Sequence, residues 1–208
     1  MRELAFTILL TLMATLTLST RFFDRRVASG ANLFTGDSAA FVQLKQRSLT
    51  LPVIRAGDRC PVSQGSHESV PREPYIFCAG CLWFGRGPVY FAWSFRVNHA
   101  EDAMFSLDSV PRANLAYRAK TPWVSKPDYE GPILIRGRRL DGKDMLRFSI
   151  GGPKSVEDVK LNAPSRADST HWSFWPSSMY VPGPGCYGVQ VDTLRGTDIV
   201  IFSAAPGN

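Results

Sequence analysis

The chain of 208 residues suits one domain behind a short leader rather than two packed domains. Its net charge of +6 is modest and its basic residues are scattered, which argues against the concentrated basic patch of a nucleic-acid-binding protein. Seventeen glycines, fifteen prolines and an aromatic content of 12% favour many short strands and turns over helices.

Residues 1–19 have the pattern of a secretion leader. A basic second residue is followed by Leu4–Leu18, an apolar run without charge, and small residues precede a cleavage position after residue 19. The run has 15 residues, whereas a membrane span needs about 20. We therefore expect a cleaved signal peptide and a protein that is secreted or held in the cell envelope. The positive charges that follow, Arg21, Arg25 and Arg26, leave open a wrongly chosen start codon or a retained anchor over residues 4–20. A buried helix of a cytosolic protein is a further alternative.

The rest of the chain is expected to consist of a linker and one domain. Residues 20–42 show no periodicity and are predicted to be a flexible linker, with one helical turn at Ala39–Lys45, and residues 43–208 form the predicted domain. Apolar and polar residues alternate in Arg47–Arg55, which predicts a strand. Because Pro52 cannot donate to a ladder, we expect this strand at a sheet edge.

Further strands are predicted along the domain. Val89–Val97 is apolar on both faces, which is typical of a central strand with one face on the core and the other partly covered. Near Gly131, alternation places Ile133 and Ile135 on one face and Arg136 on the other. The remaining predicted strands are Ala113–Tyr117, Lys120–Val124, Met145–Ile150 and Val156–Leu161.

The segment His171–Ala205 is predicted to form the closing hairpin of the domain. It contains two apolar stretches separated by a charged turn. In the first stretch Tyr187, Val189 and Val191 share one face, and Cys186 lies on the opposite face. We therefore expect an all-β domain, an immunoglobulin-like β-sandwich of about 8–10 short strands, behind an N-terminal signal or anchor helix.

The four cysteines allow several kinds of chemistry. Cys78 and Cys81 have the spacing of a redox pair, but such a pair opens a helix, whereas here an apolar stretch and a glycine-rich turn follow. A zinc site would favour two pairs with this spacing, and Cys60 and Cys186 each stand alone. In an exported protein we expect the disulfides Cys60–Cys186 and Cys78–Cys81, although spacing alone leaves three connectivities open.

Several short motifs occur in an order that resembles a family of uncharacterised exported bacterial proteins. They are LPVIRAGDRCPVS, GRGPVY, GPILIRGRRLDG with LRFSIGG, FWPSS, and PGCYGVQVD with IVIF, and they cover about Leu44–Ala205. The resemblance implies a secreted or envelope-associated β-sandwich-like domain in which Cys60 and Cys186 form the shared disulfide. It implies no activity and no catalytic residues. Cys78 and Cys81 depart from the family pattern, so their pairing does not follow from the resemblance.

The sequence contains few candidate groups for an enzyme. None of the three histidines has an evident nucleophile or metal partner, and we expect no metal and no cofactor. A thiol-disulfide protein would work through Cys78 and Cys81. A secreted hydrolase would need two carboxylates facing each other across a cleft. Its candidate acids are Glu101, Asp102, Asp141 and Asp144.

We therefore expect a non-enzymatic binding or interaction domain. Its expected partner is a cell-surface glycan or an envelope protein, with no nucleic-acid binding and with membrane contact only through an uncleaved N-terminal segment. The alternative within this class is a carbohydrate-binding module that uses exposed aromatic rings, which three or more coplanar exposed rings would favour. Core packing would instead use most of the tryptophans. The candidate binding surface is Trp172, Trp175 and Tyr180.

Overall fold

Strands make up about half of the chain that the computed structural model describes, which is residues 39–65, 82–93, 103–113, 115–163 and 172–206. All of these residues belong to one compact unit, Ala31–Asn208. Within them, helix α1 (Ala39–Lys45), a 3-10 helix (Leu107–Ser109) and thirteen strands are present, which confirms the all-β prediction. The predicted leader and the linker up to residue 38 lie outside the described residues.

The thirteen strands in chain order are β1 (Leu82–Phe84), β2 (Val89–Trp93), β3 (Met104–Ser106), β4 (Arg112–Ala113), β5 (Ala116–Lys120), β6 (Trp123–Ser125), β7 (Gly131–Arg139), β8 (Arg147–Ile150), β9 (Val159–Ala163), β10 (Ser173–Trp175), β11 (Ser177–Val181), β12 (Gly185–Thr193) and β13 (Gly196–Ala205).

The strands form three sheets. Sheet I has the order β1-β2-β6-β10, sheet II has the order β4-β5-β11-β8, and sheet III has the order β3-β13-β12-β7-β9. Neighbouring strands are antiparallel except for β3 and β13, which run parallel. Within the described residues the sheets are therefore antiparallel apart from one strand pair.

One hydrophobic core joins the inner faces of all three sheets. Trp123 of sheet I is fully buried, and its ring stacks on Phe91 with a centroid distance of 5.1 Å. The same ring meets the edge of Phe148, which belongs to sheet II, at 6.5 Å. In sheet III, Tyr187 stacks on Phe202 at 5.3 Å. Large aromatic rings thus supply much of the apolar area that holds the sheets together.

The predicted closing hairpin is confirmed. β12 pairs with β13 over its whole length, and Tyr187, Val189 and Val191 share one face as predicted, which is the face that points into the core. The Tyr187 hydroxyl donates a hydrogen bond to the Gly183 carbonyl at 2.8 Å. Burial raises the pKa of Tyr187 to about 12, so this phenol remains a donor at neutral pH. On the opposite face, Cys186 forms a disulfide with Cys60 and their Cα atoms are 5.5 Å apart.

The predicted edge strand at Arg47–Arg55 is wrong, because no strand forms there. The segment residues 47–60, called the strap below, crosses the outer face of sheet III and is held mainly by side chains. The Thr50 N–H donates to Gln190 Oε1 at 2.8 Å, and Arg138 donates to the Leu51 carbonyl at 3.1 Å. Its alternating leucines pack on the sheet: Leu51 lies in a second small core with Leu140 and Cys186. An extended segment that lies across a sheet face also alternates between buried and exposed residues. Its sequence therefore resembles that of a strand, which is why the prediction was wrong.

The helix prediction at Ala39–Lys45 is confirmed, and α1 packs on the same outer face beside the strap. Its apolar residues Phe41 and Leu44 are both buried. The helix starts four residues before the predicted domain boundary at residue 43, so part of the predicted linker is packed on the domain. Sheet III is therefore covered on its outer face by the chain that precedes it.

A buried polar network fastens the strap to sheet III. Asp192 is fully buried and accepts hydrogen bonds from Arg136 at 2.7 Å, from Thr197 at 2.6 Å and from the Gln190 amide at 3.0 Å. Arg136 also donates to the Arg47 carbonyl at 2.9 Å. The buried carboxylate is thus paired and hydrogen-bonded, as a charge in the protein interior must be.

Candidate functional site

Two prolines divide the strands that connect sheet I with sheet II. Pro122 separates β5, in sheet II, from β6, in sheet I, and Pro176 separates β10, in sheet I, from β11, in sheet II. Proline has no N–H and interrupts a ladder of hydrogen bonds. The predicted single strand Lys120–Val124 is therefore wrong, since it spans Pro122. Such interruptions also explain why the described strands outnumber the predicted 8–10.

The two interrupted strands keep one register through the break. Trp175 lies opposite Trp123 in sheet I, and Ser178 lies opposite Lys120 in sheet II. Both pairs have the same register, so Pro176 lies opposite Pro122. Because side chains alternate along a strand, the even-numbered residues of both strands point away from the core on either side of this break.

An open cleft of about 730 Å³ lies on the outer side of the proline pair. Its wall combines basic, hydroxyl and apolar groups from both sheets. The residues that line it are Arg118, Lys120, Pro122, Ser149, Gly151, Gly152, Pro153, Phe174, Pro176, Ser177 and Ser178. The cleft volume is in the range of small-molecule and oligosaccharide-sized sites.

The polar part of the cleft lies on the outer face of sheet II. Lys120, Ser178 and Ser149 form one cross-strand row through β5, β11 and β8. Arg118 is two residues from Lys120 on the same strand, and its Nε donates to Ser178 Oγ at 3.2 Å. The Ser149 and Tyr180 hydroxyls are 3.4 Å apart. The cleft thus presents two cationic side chains next to a group of hydroxyls.

The apolar part of the site lies on the outer face of sheet I. Trp83, Trp172 and Phe174 are half-buried there and pack around Tyr90 and Val124, which are fully buried. The rings of Trp172 and Tyr90 are 5.9 Å apart and tilted by 44°. We call Trp83, Trp172 and Phe174 the aromatic patch. Phe174 also lines the cleft, so the patch and the cleft are continuous.

Two of the three residues of the candidate binding surface point away from the core, and the third lies in it. Trp172 belongs to the aromatic patch and Tyr180 lies on the outer face of sheet II, beyond the cleft. Trp175 is 3% exposed and lies in the main core. Strand alternation explains the split, because residues 172, 174, 176, 178 and 180 share a face and residue 175 does not.

The cleft residues Arg118, Lys120 and Phe174 were not among the residues predicted from the sequence. The two cations are indistinguishable in sequence from a solvated strand face. The usable signal was the even-numbered series from Trp172 to Tyr180, which places Phe174 and Ser178 on the same side as the two aromatic candidates. The even-numbered series does not show that β5, which carries Arg118 and Lys120, pairs with β11.

Two of the four carboxylates considered for a hydrolase, Asp141 and Asp144, are paired with one arginine. Asp141 accepts from Arg139 Nε at 2.7 Å and from the Cys186 N–H at 3.3 Å, and Asp144 lies 3.5 Å from the same guanidinium. Desolvation opposes ionisation of Asp141, but these two hydrogen bonds outweigh it and hold its pKa below the usual value. A glycosidase acid needs a raised pKa. Asp141 therefore lacks the raised pKa of a glycosidase acid. Its hydrogen bonds stabilise the end of β12 that carries the disulfide.

The remaining candidates lie outside the described residues. They are Cys78, Cys81, Glu101, Asp102 and the three histidines. Among the residues that are described, no group of three or more His, Cys, Asp or Glu side chains is placed to hold a metal ion.

A second, smaller cavity of about 270 Å³ lies at the turn between β12 and β13. Its charged residues are already partnered within the chain. Asp198 accepts from the Arg86 N–H at 2.5 Å and pairs with its guanidinium at 3.3 Å, and Arg195 pairs with Asp128 at 2.9 Å. The arrangement is therefore better suited to fixing this turn than to binding a charged ligand.

Comparisons with known proteins add no constraint. No family model matches the sequence, and neither a curated protein nor a solved structure matches it. In the described part of the chain, no helix has the length and apolar character needed to cross a membrane. The site therefore has to be interpreted from its own chemistry.

Proposed function

We propose that this protein is a non-enzymatic binding domain whose ligand is a sugar chain lying along the cleft and the aromatic patch. The single observation that carries the proposal is their continuity through Phe174. Aromatic side chains pack against the apolar faces of sugar rings, while hydroxyl and cationic side chains bind their oxygen atoms. The neighbouring outer faces of sheets I and II offer both kinds of contact.

The chemistry of the cleft supports binding rather than catalysis. In the part of its wall that the structure describes, the polar side chains are those of arginine, lysine and serine. The two facing carboxylates that a glycosidase uses are not among these described lining residues. The Ser177 hydroxyl is engaged with the Thr121 carbonyl at the proline break, which assigns it a structural role.

We also propose that the protein is exported. The pattern of residues 1–19 supports a signal peptide, with an anchor over residues 4–20 as the alternative, and the order of motifs that resembles exported bacterial proteins agrees with it. The disulfide between Cys60 and Cys186 supports an oxidising compartment. Mass determination of the protein recovered from the culture medium, with and without reduction, tests leader removal and disulfide number together.

We further propose that the β domain is an immunoglobulin-like sandwich. Support comes from the single core shared by the sheets and from the Tyr187 hydroxyl, which bonds back to Gly183 in the manner of the tyrosine corner of such domains. An experimental structure tests the proposal. Facing sheets whose strand directions differ by about 30° would support it, and directions near 90° would contradict it.

The binding proposal is tested with an array of neutral and acidic polysaccharides. The variants are Phe174→Leu and Trp172→Leu, which keep an apolar side chain but remove the ring, and the control is Val53→Ala, which alters an exposed apolar side chain on the strap. We expect at least one polysaccharide to bind, both ring variants to lose most of that binding, and the control to keep it.

A second measurement distinguishes binding from hydrolysis. The polysaccharide is incubated with the protein for a prolonged time and its length is then measured by size-exclusion chromatography, and a binding domain should leave that length unchanged. The proposal fails if nothing on the array binds or if Phe174→Leu and Trp172→Leu both bind like the wild type. Urea unfolding of each variant ensures that lost binding is not lost folding.

A further inference from the structure

The cleft and the aromatic patch together form a site that is longer than it is wide. Three neighbouring strands, β5, β11 and β8, contribute to the cleft, so the outer two are about 10 Å apart. β8 ends at Ile150, and residues 151–153, which follow it, also line the cleft. Along β10 and β11 the site extends from Trp172 to Ser178, which are about 20 Å apart along an extended chain. The long axis of the site therefore follows the strands.

The chemistry of the site changes along this axis. Trp172 and Phe174 contribute aromatic rings at one end. In the middle, Pro122 and Pro176 lie opposite each other and have no N–H to offer a ligand. A ligand that follows the axis therefore contacts an apolar surface until it reaches the hydroxyl groups of sheet II.

Tyr180 belongs to this polar end although its backbone lies beyond the cleft. Its partner across the ladder on β8 is Arg147, yet its hydroxyl lies 3.4 Å from the hydroxyl of Ser149. Ser149 is two residues nearer to the cleft, lies opposite Ser178 and lines the cleft. The Tyr180 ring therefore leans along the strand, and its hydroxyl reaches the level of Ser178, about 20 Å from Trp172.

Resting on the proposed function, we infer that the ligand is a segment of about four sugar units that lies along β10 and β11, and that Tyr180 selects its length. Residues on the same face of a strand repeat about every 7 Å. One pyranose unit of an extended sugar chain is somewhat shorter than this step, so the three steps from Trp172 to Ser178 hold about four units.

The two ends of the site make different contacts with this segment. The first units pack on the rings of Trp172 and Phe174. The last unit meets the hydroxyl pair of Ser149 and Tyr180, and a hydroxyl can both donate and accept, as the hydroxyls of a sugar do. A single sugar on the rings would leave the hydroxyl pair about 20 Å away without contact. Affinity should therefore rise with chain length until the hydroxyl pair is reached, and not beyond.

The inference is tested by calorimetric titration of the full chain with oligomers of one to six units from cellulose, chitin, mannan and polygalacturonate, together with the four parent polymers. The test variant is Tyr180→Phe, which removes the hydroxyl and keeps the ring. The matched control is Tyr117→Phe, which removes a hydroxyl from the opposite face of the same sheet. Ser149→Ala is a second variant at the polar end, and urea unfolding of each variant checks that it is folded.

We expect the affinity for at least one series to rise up to about four units and to change less than about twofold for longer oligomers. Tyr180→Phe and Ser149→Ala should each weaken the four-unit oligomer about threefold to tenfold. Both should change the two-unit oligomer less than about twofold, because it binds at the aromatic end. Tyr117→Phe should leave both oligomers unchanged.

The other outcomes separate this inference from the proposed function. Affinity that is already complete at one or two units, or that still rises at six, overturns the four-unit segment and leaves a sugar-binding domain. Binding of a polymer without binding of any of its oligomers does the same. Equal losses in Tyr180→Phe and Tyr117→Phe, or equal losses for the two-unit and four-unit oligomers, overturn the role of Tyr180. If no oligomer and no polymer binds, the proposed function fails together with this inference.

Discussion

The outer face of sheet III and the outer face of sheet II both carry arginines, but the two faces use them differently. On sheet III, Arg136 is nearly buried, pairs with Asp192 and donates to the strap backbone. On sheet II, Arg118 is exposed and donates to a serine hydroxyl in an open cleft. The first face is covered by the strap, whereas no segment among the described residues covers the second.

The difference shows that residue type alone does not indicate function on a sheet face. Arg136 and Arg118 are both even-numbered, outward-pointing residues of strands, and in sequence both resemble a solvated face. Their roles follow from what lies above them: the strap in one case and the cleft in the other. Disrupting the first face should therefore reduce stability, and disrupting the second should reduce binding.

The largest expected effect comes from removing the disulfide that ends the strap. The variant Cys60→Ser with Cys186→Ser should lose about 4–5 kcal/mol of unfolding free energy, because the bond closes a loop of 126 residues in the unfolded chain. Urea unfolding at neutral pH measures the loss. A loss below about 1 kcal/mol would show that the strap does not depend on this bond.

The next effect concerns the buried pair. Arg136→Gln should destabilise the protein by about 3 kcal/mol, because it leaves the buried Asp192 without its cation. Arg147→Gln serves as the control, since it removes an arginine from the exposed pair with Glu157 and should cost less than about 1 kcal/mol. Equal losses in the two variants, measured by urea unfolding, would mean that the strap network contributes no more than a surface ion pair.

A smaller effect depends on pH. Asp141→Asn should cost about 1 kcal/mol at neutral pH, because it weakens the hydrogen bonds from Arg139 and the Cys186 N–H. The pKa of Asp141 is lowered in the folded state. Its contribution is therefore complete above the unfolded value of about 4 and is lost as the pH falls through the folded pKa.

The difference in stability between wild type and Asp141→Asn should accordingly shrink in acid. Unfolding curves at pH values on both sides of about 4 measure it. A difference that grows as the pH falls would have the opposite sign and would contradict the assignment of the pKa shift.

The smallest effect on stability is expected at the cleft. Arg118→Gln should change the unfolding free energy by no more than about 0.5 kcal/mol, because the side chain is exposed and its partner is neutral. Its consequence should be seen in ligand binding instead. A loss as large as that of Arg136→Gln would place Arg118 among the structural arginines.

The sequence could predict the parts of the fold that depend on local alternation. Tyr187, Val189 and Val191 share one face as predicted, because β12 is a long and regular strand, and that face lies in the core. Ile133 and Ile135 share a face of β7 for the same reason. Alternation failed at the strap, where side-chain hydrogen bonds from distant strands, and not a ladder, hold the segment.

The candidate site could be predicted only in part. Trp172 and Tyr180 share an outer face as their spacing requires, but their relation to Arg118 and Lys120 depends on the pairing of β5 with β11. That pairing joins segments far apart in the sequence, so no local pattern contains it. The alignment of Pro122 with Pro176, which separates the two sheets at the cleft, is non-local for the same reason.

We propose that the ligand lies on the outer faces of sheets I and II and not on the face covered by the strap. Heteronuclear NMR during titration with short oligomers of a polysaccharide that binds on the array tests this placement. We expect chemical-shift changes at Arg118, Lys120, Phe174 and Ser178, with none at strap residues such as Thr50. Changes centred on the strap, or spread evenly over all three sheets, would contradict the account.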